Sequence, residues 1–208
     1  MSLWGRIFAA GYDRVLAPTE SAGLGAERER VLASAHGSVV EVGAGTGVNL
    51  AHYPPGVREL VVTEPEEPMA RRLRARVSAL GIRARVVNAR AERLPFADGS
   101  FDCAVSTLTL CTADDHVAAL HELHRVLRPG GALLFIEHVR SSDDEALARM
   151  QDRVAPLWRR FGHGCRCNRR TLEAIEAAPF DVRELVRGRL PKAAKPVRPY
   201  VSGRALAR

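Results

Sequence analysis

Long apolar runs, cysteine frameworks and aromatic residues are all scarce in this chain of 208 residues. The apolar run near the N terminus covers only residues 7–11, which is too short for a signal peptide or a membrane-spanning helix. The chain has four cysteines, namely Cys103, Cys111, Cys165 and Cys167. Their spacing is not that of a disulfide framework, so we expect free thiols. These absences exclude a disulfide scaffold and favour a soluble cytoplasmic protein with no transmembrane segment.

Lysine is also rare, since only Lys192 and Lys195 occur, and the net charge of +7 comes from arginine. From Gln151 onward, 14 Arg and Lys stand against 5 Asp and Glu, a net charge of +9, whereas the preceding residues carry −2. No aromatic residues alternate with these basic residues, as they do in platforms for single-stranded nucleic acid. We therefore interpret the basic tail as a solvated surface and do not expect nucleic-acid binding; an anionic lipid or acidic substrate is the alternative.

Three glycines at alternate positions follow a short apolar run in VVEVGAGTGVNL, residues 39–50. This pattern predicts a strand, a tight turn and a helix start. Glycine is needed where the backbone takes a positive φ or lets a ligand approach closely. The dinucleotide fingerprint requires a further glycine at position 48, which holds Val48. The turn thus predicts a ligand site of another class.

Two acidic residues accompany this turn. Glu41 precedes the first glycine by two residues, and Glu64 ends the next apolar run, where an α/β sheet places an acceptor for ribose hydroxyls. Together these residues resemble motifs I and II of the class I S-adenosylmethionine (SAM) dependent methyltransferases. The resemblance implies an α/β, Rossmann-like fold with a seven-stranded, mostly parallel sheet, helices on both faces, and SAM as cofactor. A Rossmann-like sheet without a cofactor is the alternative.

Further segments resemble the same family, namely the run AERLPFADGSFDCAV at residues 91–105 and the run LHRVLRPGG at residues 123–131. Many family members carry an Asp before the Ala-Glu pair that accepts a hydrogen bond from adenine. Arg90 stands there in this chain and cannot accept one. We therefore expect adenine contacts from backbone groups near Ala91 and Glu92, or from the Glu92 side chain.

Ligands of open α/β sheets bind beyond the carboxyl ends of the strands. Thr107, Leu108 and Cys111 follow the predicted fourth strand, so they should lie near the transferred methyl group. With the family resemblance, this gives the predicted cofactor contacts: Glu41, Gly43, Ala44, Gly45, Glu64, Pro65, Ala91, Glu92, Thr107 and Leu108.

The length of the chain fits one domain over residues 1–208, and the family resemblance implies three parts. Residues 1–36 would form a helical lid, residues 37–140 the SAM-binding core, and residues 141–208 the substrate-side helices and last strands. The lid contains an amphipathic helix over residues 3–16 in which Tyr12 could face the cofactor. Simple packing on the sheet, or attachment to a membrane surface, are the alternatives.

A narrower resemblance covers more of the chain. VEVGAGTGVN, then YPPG, TLTLC, EHV, GC and VRPY are similar to segments of the thiol S-methyltransferases of the animal methyltransferase-like group. That resemblance implies a small-molecule acceptor, a thiol or similar soft nucleophile. The N-terminal membrane anchor of that group is not expected here.

The predicted catalytic residue is His138, at the end of the fifth strand, because an imidazole can deprotonate a thiol near neutral pH. A structural histidine beneath the site is the alternative, with His163 and Tyr12 as weaker candidates and Cys111 as a wall of the pocket. O- or C-methylation of a quinone or natural product, and a non-catalytic SAM-binding regulatory module, remain the alternative functions.

No metal site is predicted. His116, His121 and His124 do not have the His-Glu-x-x-His spacing. Cys165 and Cys167 are too close for a zinc ribbon, although such a pair could serve soft-metal or arsenic substrates.

Overall fold

The computed structural model of the chain describes residues 3–208. The first two residues of the expected lid, and the side chain of Trp4 in its amphipathic pattern, lie outside the described part. The helices are α1 Leu3–Thr19, α2 Gly25–Leu32, α3 Glu67–Leu80, α4 His116–Val126, α5 Glu145–Phe161 and α6 Thr171–Ala177. The strands are β1 Gly37–Val42, β2 Val57–Thr63, β3 Ala84–Val87, β4 Phe101–Thr107, β5 Leu127–His138, β6 Phe180–Arg189 and β7 Pro199–Ala207.

The seven strands form one sheet in the order β3-β2-β1-β4-β5-β7-β6. Strands β1 to β5 pair in parallel, whereas β7 runs antiparallel to both of its neighbours, β5 and β6. The predicted seven-stranded, mostly parallel sheet is confirmed.

Helices cover both faces of this sheet. On one face, α4 and α6 pack over strand residues that include Val40 and Leu133. On the other face, α2 and α3 pack over residues that include Val39 and Leu134. Because neighbouring strand residues enter opposite cores, the central strands are continuous apolar runs without alternation. The expected Rossmann-like α/β architecture is confirmed.

The N-terminal helical segment extends beyond the predicted end at residue 16. A π-helical turn, Glu20–Leu24, joins α1 to α2, and Gly23 within it takes a φ of 146°. Among the described residues, no helix has both the length and the apolar character that crossing a bilayer requires.

The segment after the glycine turn is a 3-10 helix, Val48–His52, and not the start of an α-helix. Tyr53-Pro54-Pro55 follows it. Proline cannot continue a helix because it has no N–H and its ring clashes with the preceding turn. The helix here is accordingly short, with five residues before the prolines.

The residue that caps α4 is Asp115, and not the adjacent Asp114. Asp115 Oδ1 accepts hydrogen bonds of 3.0 Å from the backbone N–H groups of Val117 and Ala118. Asp114 pairs instead with Arg90. Two consecutive aspartates give the same capping signal in a sequence, so only their side-chain partners distinguish them.

Strand β1 lies between β2 and β4, so the chain winds outward from β1 in both directions. At such a switch point the connections leave the sheet on opposite sides and open a crevice beyond the carboxyl ends of the strands. The glycine turn after β1, the end of β2 and the loop after β4 all meet at this crevice.

Candidate functional site

The carboxylate of Glu64 lies at the end of β2 and joins two backbone segments. Its Oε2 accepts a hydrogen bond of 2.9 Å from the N–H of Gly45, and its Oε1 accepts one of 2.8 Å from the N–H of Glu66. Glu64 is 5 % exposed, so burial raises its pKa while the two backbone donors oppose the rise. Each carboxylate oxygen has more than one acceptor position, so the group can accept further hydrogen bonds from a vicinal diol.

Glycine is needed at the positions of the turn for different structural reasons. Gly43 has a φ of 60°, and a Cβ at this position would collide with the side chain of Thr109. Gly45 has a φ of 59°, yet no atom lies within 4 Å of where its Cβ would be. Ala44 between them is buried, and its N–H donates to Thr63 O at 2.9 Å. Gly45 therefore faces open space, as a backbone that contacts a ligand would.

Glu41 lies in a buried network beneath the turn. Its Oε1 accepts from Asn49 Nδ2 at 2.9 Å, and its Oε2 accepts from the Tyr53 hydroxyl at 2.7 Å. Asn49 Nδ2 also donates to Thr107 Oγ1 at 3.0 Å, and Asn49 Oδ1 accepts from Arg28 at 2.7 Å. Burial raises the pKa of Glu41, and the Tyr53 and Asn49 donors oppose that rise. The network ties β1, the 3-10 helix, the end of β4 and α2 together.

The expected adenine side of the crevice contains Ala91 and Glu92. Ala91 is buried, and Glu92 Oε1 accepts from the backbone N–H groups of Asp114 and Asp115, at 2.8 and 3.3 Å. Arg90 lies 3.5 Å from Glu92 Oε2. The Glu92 side chain is therefore hydrogen-bonded to the backbone at the start of α4. Pro65, which follows β2, is exposed.

Glu137 shapes the loop after β4, a role that the sequence analysis missed. The side chain is fully buried, and it accepts hydrogen bonds from four donors: Ser106 Oγ at 2.7 Å and the N–H groups of Thr109, Leu110 and Cys111 at 3.1, 3.0 and 3.2 Å. Within this loop Leu108 takes a φ of 56°, which is unusual for a residue with a Cβ. A carboxylate inside the apolar run LLFIEH was the signal that could have revealed this role.

Two thiols and an imidazole meet at the same end of the sheet. Cys111 Sγ and Cys165 Sγ lie 3.8 Å apart, and His138 Nδ1 lies 3.8 Å from the first and 3.9 Å from the second. Both cysteines are buried, whereas His138 is partly exposed. The sequence analysis placed Cys111 and His138 in this region but paired Cys165 with Cys167. The thiol of Cys167 points elsewhere and donates to Gln151 O at 3.7 Å.

The two clustered thiols differ in acidity. A hydrogen bond from the Cys111 thiol lowers the pKa of Cys165 to about 5, with His138 and Trp158 contributing in the same direction. The pKa of Cys111 is raised well above its ordinary value by that same interaction and by burial. Cys165 is therefore the more acidic of the two thiols.

Arg169, which no sequence pattern singled out, contacts the other side of the loop after β4, which carries Cys111. It is 6 % exposed, and its Nη1 donates to the carbonyl oxygens of Leu110 and Ala113. Its Nη2 has no hydrogen-bond partner in the part of the chain that the structure describes. Burial lowers the pKa of Arg169. A buried cation with an unused donor thus lies behind the loop.

Helix α1 connects the glycine turn to the loop after α5. Asp13 accepts from Thr46 Oγ1 at 2.6 Å and from Arg76 Nη2 at 2.7 Å. The Phe8 ring stacks on His163 with centroids 4.5 Å apart, and it contacts Tyr12 at 5.5 Å. Burial raises the pKa of Tyr12 to about 12. These contacts hold α1 across the carboxyl end of the sheet.

Comparisons with known proteins agree with this arrangement. A family model described as a methyltransferase domain matches residues 40–135. The chain is 34 % identical over 177 residues to the human thiol S-methyltransferase TMT1B, covering 84 % of this chain and 72 % of the human protein. It is 35 % identical over 172 residues to the human thiol S-methyltransferase TMT1A, covering 81 % and 70 %.

A solved structure has the same fold along nearly the whole chain. It is that of a SAM-dependent methyltransferase from Thermotoga maritima, with a TM-score of 0.73, 24 % identity, and coverage of 99 % of this chain and 98 % of that one. The family model and the human relatives agree on methyl transfer, and the solved structure has the fold of this chain. The chain therefore belongs to the SAM-dependent methyltransferases, in the family that includes the human thiol S-methyltransferases.

Proposed function

We propose that this methyltransferase transfers its methyl group to a small thiol. The observation that carries this proposal is the position of His138, whose Nδ1 lies within 3.9 Å of two buried sulfur atoms at the carboxyl end of the sheet. A soft, water-poor environment beside an imidazole suits a thiol acceptor, because such a nucleophile reacts as its thiolate. The names of the human relatives support the same acceptor class.

The residues at the crevice fit the cofactor. Gly45 leaves open space beside a backbone with positive φ, and the Glu64 carboxylate next to it is held by two backbone donors. We propose that Glu64 and Pro65 contact the ribose side, that Gly43, Ala44 and Gly45 offer backbone contacts, and that Ala91 and Glu92 lie toward adenine. Thr107 and Leu108 would lie toward the sulfonium, with Glu41 acting through the network that holds Thr107. When bound, SAM supplies an electrophilic methyl group on a positively charged sulfur.

The chain contributes alignment, exclusion of water and removal of one proton. We propose that helix α1 covers the crevice as the lid and limits access of water, and the Asp13–Thr46 and Phe8–His163 contacts support this role. We propose that His138 takes the proton of the acceptor thiol, which leaves the sulfur lone pair free for the displacement. His163 is stacked on Phe8, so the lid engages it, and it is the weaker candidate for this step.

The contacts also support the proposed division of one domain into three parts. Residues 1–36 would be the lid, residues 37–140 the cofactor-binding core, and residues 141–208 the acceptor side, to which Cys165 belongs.

A cytoplasmic location is proposed as well. The four cysteines are free, as expected in a reducing compartment.

The proposal is tested by a screen with SAM labelled at the methyl group. The acceptors are a small alkyl thiol, the matching alcohol, a phenol, a hydroquinone and an amine. We expect the label in the thioether product of the thiol, and a His138→Gln variant that loses methyl transfer while it retains SAM binding by calorimetry. Label only in the phenol or hydroquinone product would assign O- or C-methylation and contradict the thiol acceptor.

A further inference from the structure

The spacing of the Cys111–His138–Cys165 cluster matches the coordination sphere of a metal ion. The three ligand atoms are separated by 3.8, 3.8 and 3.9 Å. Around zinc, with Zn–S bonds of about 2.3 Å and Zn–N bonds of about 2.0 to 2.1 Å, tetrahedral to trigonal angles separate ligand atoms by about 3.5 to 4 Å. An ion can therefore bind these atoms with little movement of the chain.

The ligands are also held in place by contacts independent of any ion. The N–H of Cys111 donates to Glu137 at 3.2 Å, and its carbonyl oxygen accepts from Arg166 N at 2.9 Å. The second of these contacts links the loop after β4 to the segment that carries Cys165. His138 is fixed in β5, where it pairs with Tyr200 of β7. A site whose ligands are preorganised loses little entropy when an ion binds.

The set of donors defines the class of ion. Two thiolates and one imidazole select thiophilic divalent ions, with zinc foremost, over magnesium or calcium. Catalytic zinc sites use three protein ligands and keep the fourth position for water or substrate. Within the described part of the chain, no fourth His, Cys, Asp or Glu joins this group.

We propose that Cys111, His138 and Cys165 bind one thiophilic divalent cation, with zinc as the preferred ion, and that its fourth position takes the acceptor thiol. The second half of this inference rests on the proposed thiol acceptor. On coordination the acceptor S–H bond breaks and its proton goes to solvent, because a coordinating thiol is deprotonated by the ion. The retained sulfur lone pair then forms the new S–CH3 bond as the sulfonium C–S bond breaks. The neutral thioether is a weaker ligand and leaves.

In the ion-loaded protein His138 is thus a ligand through Nδ1, and the ion takes over the removal of the proton. In the ion-free protein the imidazole remains the base.

The structure offers internal controls for the ligand assignment. Cys167 is buried but donates to Gln151 O, and Cys103 lies 3.6 Å from His36 without a third donor.

The binding test uses the chain of 208 residues, reduced and freed of metal, titrated with Co²⁺ as a spectroscopic substitute for zinc. We expect one equivalent to bind with a sulfur-to-cobalt charge-transfer band in the near ultraviolet and the visible bands of a four-coordinate ion. Cys111→Ser and Cys165→Ser should weaken binding by at least about tenfold and reduce the charge-transfer band by about half, since one of two thiolates is lost. Cys167→Ser and Cys103→Ser should bind as the unmodified protein does.

SAM affinity, measured by calorimetry on every variant, shows whether each variant has folded. Absence of the charge-transfer band in the unmodified protein, or equal binding by folded Cys111→Ser and Cys165→Ser variants, overturns the site. A second readout tests the fourth position, because a small alkyl thiol added to the cobalt protein should raise the charge-transfer intensity by about half again as a third thiolate binds.

The experiments distinguish failure of the metal-site proposal from failure of the thiol-acceptor proposal. If chelation leaves the rate of thiol methylation unchanged, the fourth-position role is refuted while the thiol acceptor stands. If cobalt binds at the two cysteines but no thiol is methylated, the acceptor proposal fails while the metal site stands.

Discussion

The backbone N–H of Gly45 donates a 2.9 Å hydrogen bond to the carboxylate of Glu64, which joins the glycine turn after β1 to the end of β2. The donor and the acceptor are 19 residues apart in the chain. Both belong to the proposed cofactor site, so the contact shapes that site before any ligand binds. The relationship makes Glu64 and Gly45 the two positions where substitution is most informative.

Replacement of Glu64 by alanine should lower SAM affinity by about 10- to 100-fold, which corresponds to about 1.4 to 3 kcal/mol. The variant loses the proposed acceptor for the ribose and leaves the N–H groups of Gly45 and Glu66 without their partner. Isothermal calorimetry measures the change. Glu66→Ala is the matched control, because it removes an exposed carboxylate two residues away and keeps its backbone N–H. Equal affinities of the two variants would refute the ribose role.

Gly45→Ala should weaken SAM binding by at least about tenfold, since the added methyl group would enter the space that a ligand needs. Gly81→Ala is its control. Gly81 has a similar φ, 63° against 59°, and likewise has no atom within 4 Å of the added Cβ, but it ends α3 away from the turn. Both variants should lose about 1 to 2 kcal/mol of stability from the left-handed backbone. Similar SAM affinity in both would show that Gly45 does not contact the cofactor.

We expect α1 to open when ligand enters or leaves, and the contact between Asp13 and Thr46 to hold it closed at other times. Asp13→Ala removes the bonds to Thr46 and Arg76, so amide hydrogen exchange in residues 3–19 should become about tenfold faster and SAM should dissociate faster. Glu67→Ala removes an exposed ion pair with Arg74 on α3 and should change neither quantity. Unchanged exchange in α1 of Asp13→Ala would contradict the lid assignment.

Tyr53→Phe should destabilise the protein more at pH 8 than at pH 5. Burial raises the pKa of Glu41 in the fold, so between its unfolded and folded values the native state binds more protons, and stability falls as pH rises through that window. Loss of the Tyr53 donor raises the folded pKa of Glu41 further and extends that fall to higher pH. We expect a loss of about 1 to 3 kcal/mol at pH 8, measured by urea unfolding, and a smaller loss at pH 5.

Tyr200→Phe serves as the control for this measurement, since its hydroxyl has no hydrogen bond among the described residues. Its effect on stability should be the same at both pH values. A pH-independent loss in Tyr53→Phe would mean that the phenol does not hold the ionised form of Glu41.

The sheet and the glycine turn could be predicted because their signals are local. The apolar runs marked the strands, and Glu41, Gly45 and Glu64 lie within a short stretch whose spacing carries the chemistry. The fold class followed from the family resemblance. At the start of α4 the consecutive aspartates Asp114 and Asp115 give two equivalent local solutions, and only the structure distinguishes them.

The acceptor side could not be predicted in the same way, because it is made by residues far apart in the chain. Cys111 and Cys165 are 54 residues apart, and His138 lies between them in sequence. No spacing rule brings them together; the pairing of β4 with β5 and the position of the loop after α5 do. Cys165 was therefore paired with its sequence neighbour Cys167, and Arg169 had the appearance of a surface residue in a basic tail.

A crystal structure of the protein with S-adenosylhomocysteine would test the proposed cofactor site most directly. Both ribose hydroxyls should lie within hydrogen-bond distance of the Glu64 carboxylate, and the thioether sulfur should be directed toward the loop that carries Leu108 and Cys111. A nucleoside bound elsewhere, or a crevice filled by side chains of α1 with the product excluded, would contradict it.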